Sequence, residues 1–312
     1  MMLIETDKIT FKNFFRNDPN PFISEKFIEL NRKKVDRVIR LIDDSGDPVI
    51  GLVVGVKNGV VMSPFSAPFG GFHFRKDNIY ITEIDRFIEQ LAEYAAEHGI
   101  HRIEISTSPD IYNSSFNAKT INSLIRHNYH FTYPDITNWV NLRDLGGEYS
   151  QKNSREYYRQ ANRIHLAFSL TQDSQDKIKI YELICQNRAK FNRPVYMTFN
   201  DVLDIGKIWP VDFFKVETVD HQIVASAIFY RNHPTICYAV FWGDNAEGRP
   251  LRAMDFMLLN LFLHYKEAGF EYMDLGISTE SGIPNEGLLR FKESHEAVSS
   301  LRYKCVLELN KA

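Results

Sequence analysis

Several side chains are of types that can do chemistry. Lys152, Arg155, Arg159 and Arg163 recur at spacings of three, four and four, which puts four cations on one face of a helix. Such a stripe can receive a diphosphate, although a solvated face is the commoner meaning of the pattern. Asp274 stands in the nearly apolar run Phe270-Glu271-Tyr272-Met273-Asp274-Leu275-Gly276. A carboxylate buried there must be paired or have a raised pKa, and either state suits a proton acceptor or a group that binds an acceptor. Tyr157, Tyr158, Tyr238 and Trp242 could line a cleft, but aromatics at such spacings more often belong to a core. By spacing alone Lys292, preceded by Phe291, reads as an ordinary lysine on a short helix.

Composition removes whole classes of function. The 312 residues carry 37 Lys plus Arg against 40 Asp plus Glu, a net charge of -3, without the basic excess of a protein that wraps nucleic acid. Cys185, Cys237 and Cys305 are odd in number and widely spaced, so neither a disulfide framework nor a zinc site is expected, and a reducing, cytoplasmic setting fits. His127 and His130 have no acidic or thiol cluster beside them, and no metal site is assigned. No apolar run reaches the length of a membrane span, and glycine-rich dinucleotide fingerprints and nucleophile elbows are absent.

The elements that must position these residues form two similar series. In the first half a short helix near Ser24 to Leu30 precedes strand-like runs at Val38–Ile42, Val49–Val56 and Val60–Met62. An amphipathic helix follows from Ile81 to His98, with Ile84, Phe87, Ile88, Leu91 and Ala95 on one face and Gly99 as its stop, and then a strand from His101 to Ser106. A helix over Ala118–His127 and a strand over Thr137–Leu142 complete it. In the second half, helices near Ser154–Arg163 and Asp176–Phe191 precede strands at Phe213–Thr218, Ile223–Tyr230 and Thr235–Trp242. Next come a helix from Leu251 to Ala268, Gly269, a strand from Tyr272 to Ile277, a helix near Glu286–Glu293 and a last strand. The segments from Ile84 and from Met254 align without a gap, with Asp85 on Asp255, Gly99 on Gly269 and Glu104 on Asp274, at a constant offset of 170 residues. A repeat that long is a duplicated domain. The polar, glycine-bearing stretch after Leu142 sets the expected junction, giving units 1–147 and 148–312.

This order of elements resembles the GNAT (N-acetyltransferase) superfamily, and a tandem pair resembles the Fem-type peptidyltransferases of peptidoglycan synthesis and their acyltransferase relatives. The points of likeness are Gly287-Leu288-Leu289-Arg290-Phe291-Lys292, the strand ending Asp274-Leu275-Gly276, the loop Ser63 to Gly71 and the Arg-rich helix from Ser154. The resemblance implies an α+β fold of two tandem GNAT-like units, each a mixed, largely antiparallel sheet flanked by helices. It further implies acyl transfer to an amine in a cleft between the units, with Lys292 stabilising an oxyanion, Phe291 placing a backbone amide and Asp274 assisting. Leu288, Leu289 and Phe291 are expected to face inward, and Lys292 to face the cleft within reach of the end of the strand carrying Asp274.

By the same resemblance, Gly243, Gly248, Arg249 and Arg252 would hold acyl-CoA as co-substrate, and Ser66, Gly70, Gly71, Arg155, Arg159, Tyr238 and Trp242 would hold the acceptor. Gly243 to Pro250 keeps glycines and Arg249 but not the superfamily's pyrophosphate motif, and Asp244 and Glu247 oppose phosphate. Where the peptidoglycan enzymes tend to be Gly-rich, this chain has Glu293-Ser294-His295-Glu296. Aminoacyl-tRNA is therefore the alternative donor, and a non-catalytic binder of an envelope precursor the alternative class.

Overall fold

The computed structural model describes residues 2–16 and 20–309. In chain order the strands and α-helices are β1 (Leu3–Glu5), α1 (Lys8–Phe14), α2 (Glu25–Asn31), β2 (Arg37–Asp43), β3 (Ile50–Lys57), β4 (Val60–Ser63), β5 (Phe72–Phe74), α3 (Ile81–Glu97), β6 (Arg102–Ser106), α4 (Asp110–Arg126) and β7 (His130–Asn141). They continue with α5 (Lys152–Arg163), β8 (Ala167–Thr171), α6 (Ser174–Ala189), α7 (Phe199–Ile205), β9 (Val211–Glu217), β10 (Ile223–Tyr230), β11 (Ile236–Asp244), α8 (Ala253–Glu267), β12 (Tyr272–Ile277), β13 (Thr279–Glu280), β14 (Ile283–Pro284), α9 (Glu286–Glu293) and β15 (Val298–Glu308). They form two compact units, one from the described residues of 1–136 and 300–312, the other from 137–299.

In the first unit the strand order is β1-β2-β3-β4-β6-β15, with β5 against the start of β3. The neighbours are antiparallel except β4 and β6, which run parallel with Val60 opposite Arg102. Between those two strands the chain crosses the sheet as α3. The spacing expected for this helix is observed: Ile84, Phe87, Ile88, Leu91 and Ala95 are all buried against Leu52, Val54, Ile103 and Ile105. Burying a side chain such as Ile88 or Leu91 completely contributes about 1.5–3 kcal/mol.

The second unit has the order β7-β12-β11-β10-β9-β8, again antiparallel except for one parallel pair, β11 and β12, with Ile236 opposite Tyr272. Here α8 makes the crossing, and Phe256, Met257, Leu258, Leu259, Leu261, Phe262 and Tyr265 bury it on nearly every side. Both crossing helices stop at a glycine in the left-handed region, Gly99 at φ 67° and Gly269 at φ 87°, a conformation that a Cβ disfavours. Each unit is thus a mixed, largely antiparallel α+β layer in which one parallel pair flanks a long helix.

The compact units divide elsewhere than the expected 147/148 junction. Thr137 to Asn141 of β7 pair with β12, and Lys304 to Glu308 of β15 pair with β6, so backbone pairing carries each stretch into a unit that composition did not suggest. The polar residues after Leu142 only connect β7 to α5. Helix α4 begins at Asp110, well before the expected Ala118, passing through extended backbone at Asn113.

Candidate functional site

At the end of β11 the chain must turn into α8, and the turn shapes a cavity in the second unit. Asn245 accepts from the Gly248 N–H at 2.8 Å and donates to the Ile223 carbonyl at 3.1 Å, pinning the connection to β10. Gly248 passes so close to Val224 that an added Cβ would lie 2.2 Å from its carbonyl oxygen. The cavity beyond has a volume of about 480 Å³. Trp242, Gly243 and Asp244 of β11, the first turn of α8, the end of α6 and Phe291 of α9 line it.

Four cations converge there: Arg188, Arg193, Arg249 and Arg252, with Asp244 and Asp255 as the acidic lining residues. Asp244 is committed to neighbours, since Asn187 donates to its side chain at 3.2 Å and Arg249 lies 3.3 Å away. Arg252 stacks over Tyr157 at 3.7 Å, and Arg249 lies over Phe191 at 6.0 Å. Burial, with Arg193 nearby, holds Arg188 below the ordinary arginine range, and its buried Nε has no hydrogen-bond acceptor among the described residues. The N-terminus of a 15-residue helix adds partial positive charge to the same wall.

Lys292 reaches the end of the strand carrying Asp274, as expected, but the burial of its helix differs from the expectation. It is the buried member of α9, only 1% exposed, whereas Leu288, Leu289 and Phe291 are half-buried. The reason is electrostatic: its Nζ donates to the carbonyls of Gly276 (2.9 Å) and Ile277 (3.1 Å), where β12 ends in a left-handed turn at Gly276. Asp274, also 1% exposed, accepts from the Gly276 N–H at 2.8 Å. Burial lowers the Lys292 pKa to about 7, with the Asp274 carboxylate opposing the shift. Phe291 presents its ring to the cavity, 5.9 Å from that of Trp242.

The other expected residues are dispersed. Gly243, Arg249, Arg252 and Trp242 line the cavity, while Gly248 shapes the turn beneath it. Tyr238 stands opposite Asp274 in the β11–β12 register. Arg155 and Arg159 are ion-paired with Glu148, at 3.8 and 3.1 Å, so that carboxylate partly neutralises the stripe on α5. In the first unit, Gly70 and Gly71 line a cavity of about 460 Å³ with Thr107, Ser108 and Asn117. Ser66 borders a different pocket, where it accepts from Lys34 at 2.6 Å.

Sequence reasoning did not single out Arg188, Arg193 or the pairing of Asp255 with His295. The one signal available was Arg188 in the last turn of α6, three residues before Phe191. No cluster of metal-binding side chains occurs among the described residues, and none of their helices is long and apolar enough to cross a membrane.

No family model and no curated protein matches the chain significantly. Solved structures match it over nearly its full length. The crystal structure of FemX is 11% identical, with 97% of each chain covered and a TM-score of 0.68. The C-terminal domain of a putative lysylphosphatidylglycerol synthetase from Agrobacterium fabrum is 13% identical, covering 96% of this chain and 92% of that one, with a TM-score of 0.58. A tandem GNAT protein from the clavulanic acid biosynthesis pathway is 8% identical, with 99% of each chain covered and a TM-score of 0.54. The fold is therefore that of tandem GNAT-like acyltransferases.

Proposed function

We propose that the protein transfers an acyl group from a phosphate-bearing carrier to an amine, with the carrier seated in the cavity of the second unit. One observation carries this reading: four arginines and the N-terminus of α8 converge on a cavity of about 480 Å³. Guanidinium groups match phosphate oxygens in pairs, and first-turn amides of a helix favour the same charge. Acyl-CoA is the preferred carrier, because Gly243, Arg249 and Arg252 all border the cavity. Aminoacyl-tRNA is the second reading. It is supported by Phe191, 55% exposed, and Tyr196, 91% exposed, near Arg193 in sequence, because unpaired bases stack on such rings.

The acceptor is an amine on a small molecule, sugar nucleotide or envelope precursor, and its nitrogen must be unprotonated to attack. A lysine with a pKa of about 7 beside a buried carboxylate supplies the chemistry for moving that proton or for balancing an oxyanion. The test is to incubate the protein with acetyl-CoA, or with aminoacyl-tRNA, and a panel of amines, recording free thiol or deacylated tRNA. Donor consumption that depends on an amine supports the proposal. No transfer and no thermal stabilisation by any of these donors contradicts it.

A further inference from the structure

Asp255, like Asp244, is a carboxylate on the wall of the arginine-lined cavity. It lies in the first turn of α8, its side chain 9% exposed, and it does not stand alone. His295, 2% exposed, places Nε2 3.0 Å from Asp255 Oδ1 and Nδ1 2.6 Å from the Phe291 carbonyl oxygen. A carboxylate only accepts, so the Nε2–H donates to Asp255, while Nδ1 sits against the Phe291 carbonyl and the Ser294 hydroxyl. The ring is itself held in place. Phe291 lies 4.2 Å from it, Tyr149 meets it edge-on at 4.8 Å, and the Tyr149 hydroxyl donates to the Asp255 carbonyl at 2.7 Å. Ser294 Oγ, 3.0 Å from Nδ1, donates to the same Phe291 carbonyl.

We infer that His295 is a positioning residue that masks Asp255. By holding the carboxylate in an N–H bond it turns that charge away from the arginine-lined cavity, and by packing against Phe291 it fixes the cavity's aromatic wall. The inference rests on the proposed assignment of this cavity to a phosphate-bearing carrier.

The test is equilibrium dialysis of labelled inorganic pyrophosphate with four proteins: the wild type, His295→Leu, Asp255→Asn and the double variant. Unmasking one charge about 6 Å from a phosphate, at an effective dielectric constant of about 40, weakens binding about tenfold, which is the loss expected for His295→Leu. Asp255→Asn is expected to bind roughly three- to tenfold more tightly than wild type, and the double variant to return to within about threefold of it. A purely structural role predicts the opposite ordering. Overturning results are Asp255→Asn binding more weakly than wild type, or a double variant as weak as His295→Leu. If His295→Leu does not fold, Asp255→Asn decides alone. Absence of wild-type pyrophosphate binding overturns both the inference and the cavity assignment, whereas the predicted ordering in a protein that transfers no acyl group leaves the masking intact and removes only the donor.

Discussion

Replacing Lys292 with Met should flatten part of the protein's pH–stability profile. In the folded state the ammonium is held by two carbonyls, and burial lowers its pKa from 10.5 to about 7. Between those two values the unfolded chain keeps the proton that the folded chain has released, so stability rises with pH across that window. Integrated over the full shift, the rise amounts to roughly 5 kcal/mol, of which about 3 kcal/mol falls between about pH 6 and about pH 9. Burial raises the Cys305 thiol to about 12 and the Cys237 thiol well above its ordinary range, which lowers stability once the pH exceeds about 9. Both thiols are present in wild type and variant and cancel in the difference.

The assay is urea unfolding of both proteins at several pH values, with the wild-type minus variant difference plotted against pH. Loss of the ammonium also leaves the Gly276 and Ile277 carbonyls short of a donor, about 1–3 kcal/mol that offsets the relief of burial, so the slope is diagnostic and the absolute stability is not. A difference that stays constant from about pH 6 to about pH 9 refutes the reasoning, because Lys292 would then keep its proton throughout.

Other consequences can be measured separately. Arg188→Ala and Arg252→Ala should each weaken pyrophosphate binding about 5- to 50-fold and reduce its salt dependence, as read by dialysis at two ionic strengths; unchanged affinity removes these residues from the site. Gly248→Ala should destabilise the protein by more than about 2 kcal/mol in urea unfolding, because its Cβ would sit 2.2 Å from the Val224 carbonyl; a loss below about 0.5 kcal/mol would show that the turn can yield. Burial lowers the His233 pKa from 6.5 to about 4, so its ring should remain neutral in nuclear magnetic resonance spectra at about pH 5.5, and its contribution to stability should be lost as pH falls through that interval. A ring protonated at that pH contradicts the burial argument.

How much of this was legible in the sequence depended on how local the cause was. The amphipathic spacing from Ile84 to Ala95 specifies α3, and the alternation of β-branched runs and turns specifies β2 to β4, because period and turn chemistry act within a few residues. Helix α1 has seven residues with only Phe11 buried, too short for a period to show, and β8 is a five-residue strand at the sheet's edge. The reach of Lys292 to the end of the Asp274 strand was legible, but its complete burial was not, because its partners are the main-chain carbonyls of residues 276 and 277 and no side-chain pattern announces them. The cavity of the second unit was legible in part: Gly243, Arg249, Arg252 and Trp242 were expected at a ligand site, whereas Arg188 and Arg193 were not. Arg188 and Arg193 come from the end of α6 and the residues after it, Arg249 and Arg252 from the turn before α8, and only the β9–β11 meander folding between them brings the four together.

The most direct test of the central claim is isothermal titration of CoA, and separately of an aminoacylated RNA ending in unpaired bases, into wild type and an Arg188→Ala, Arg252→Ala double variant. The account predicts that at least one of these carriers binds the wild type and that the double variant loses about a hundredfold in affinity for it while its melting temperature is unchanged. Equal affinity in the two proteins, or no binding of either carrier to the wild type, contradicts the assignment of the second unit's cavity to a phosphate-bearing acyl donor.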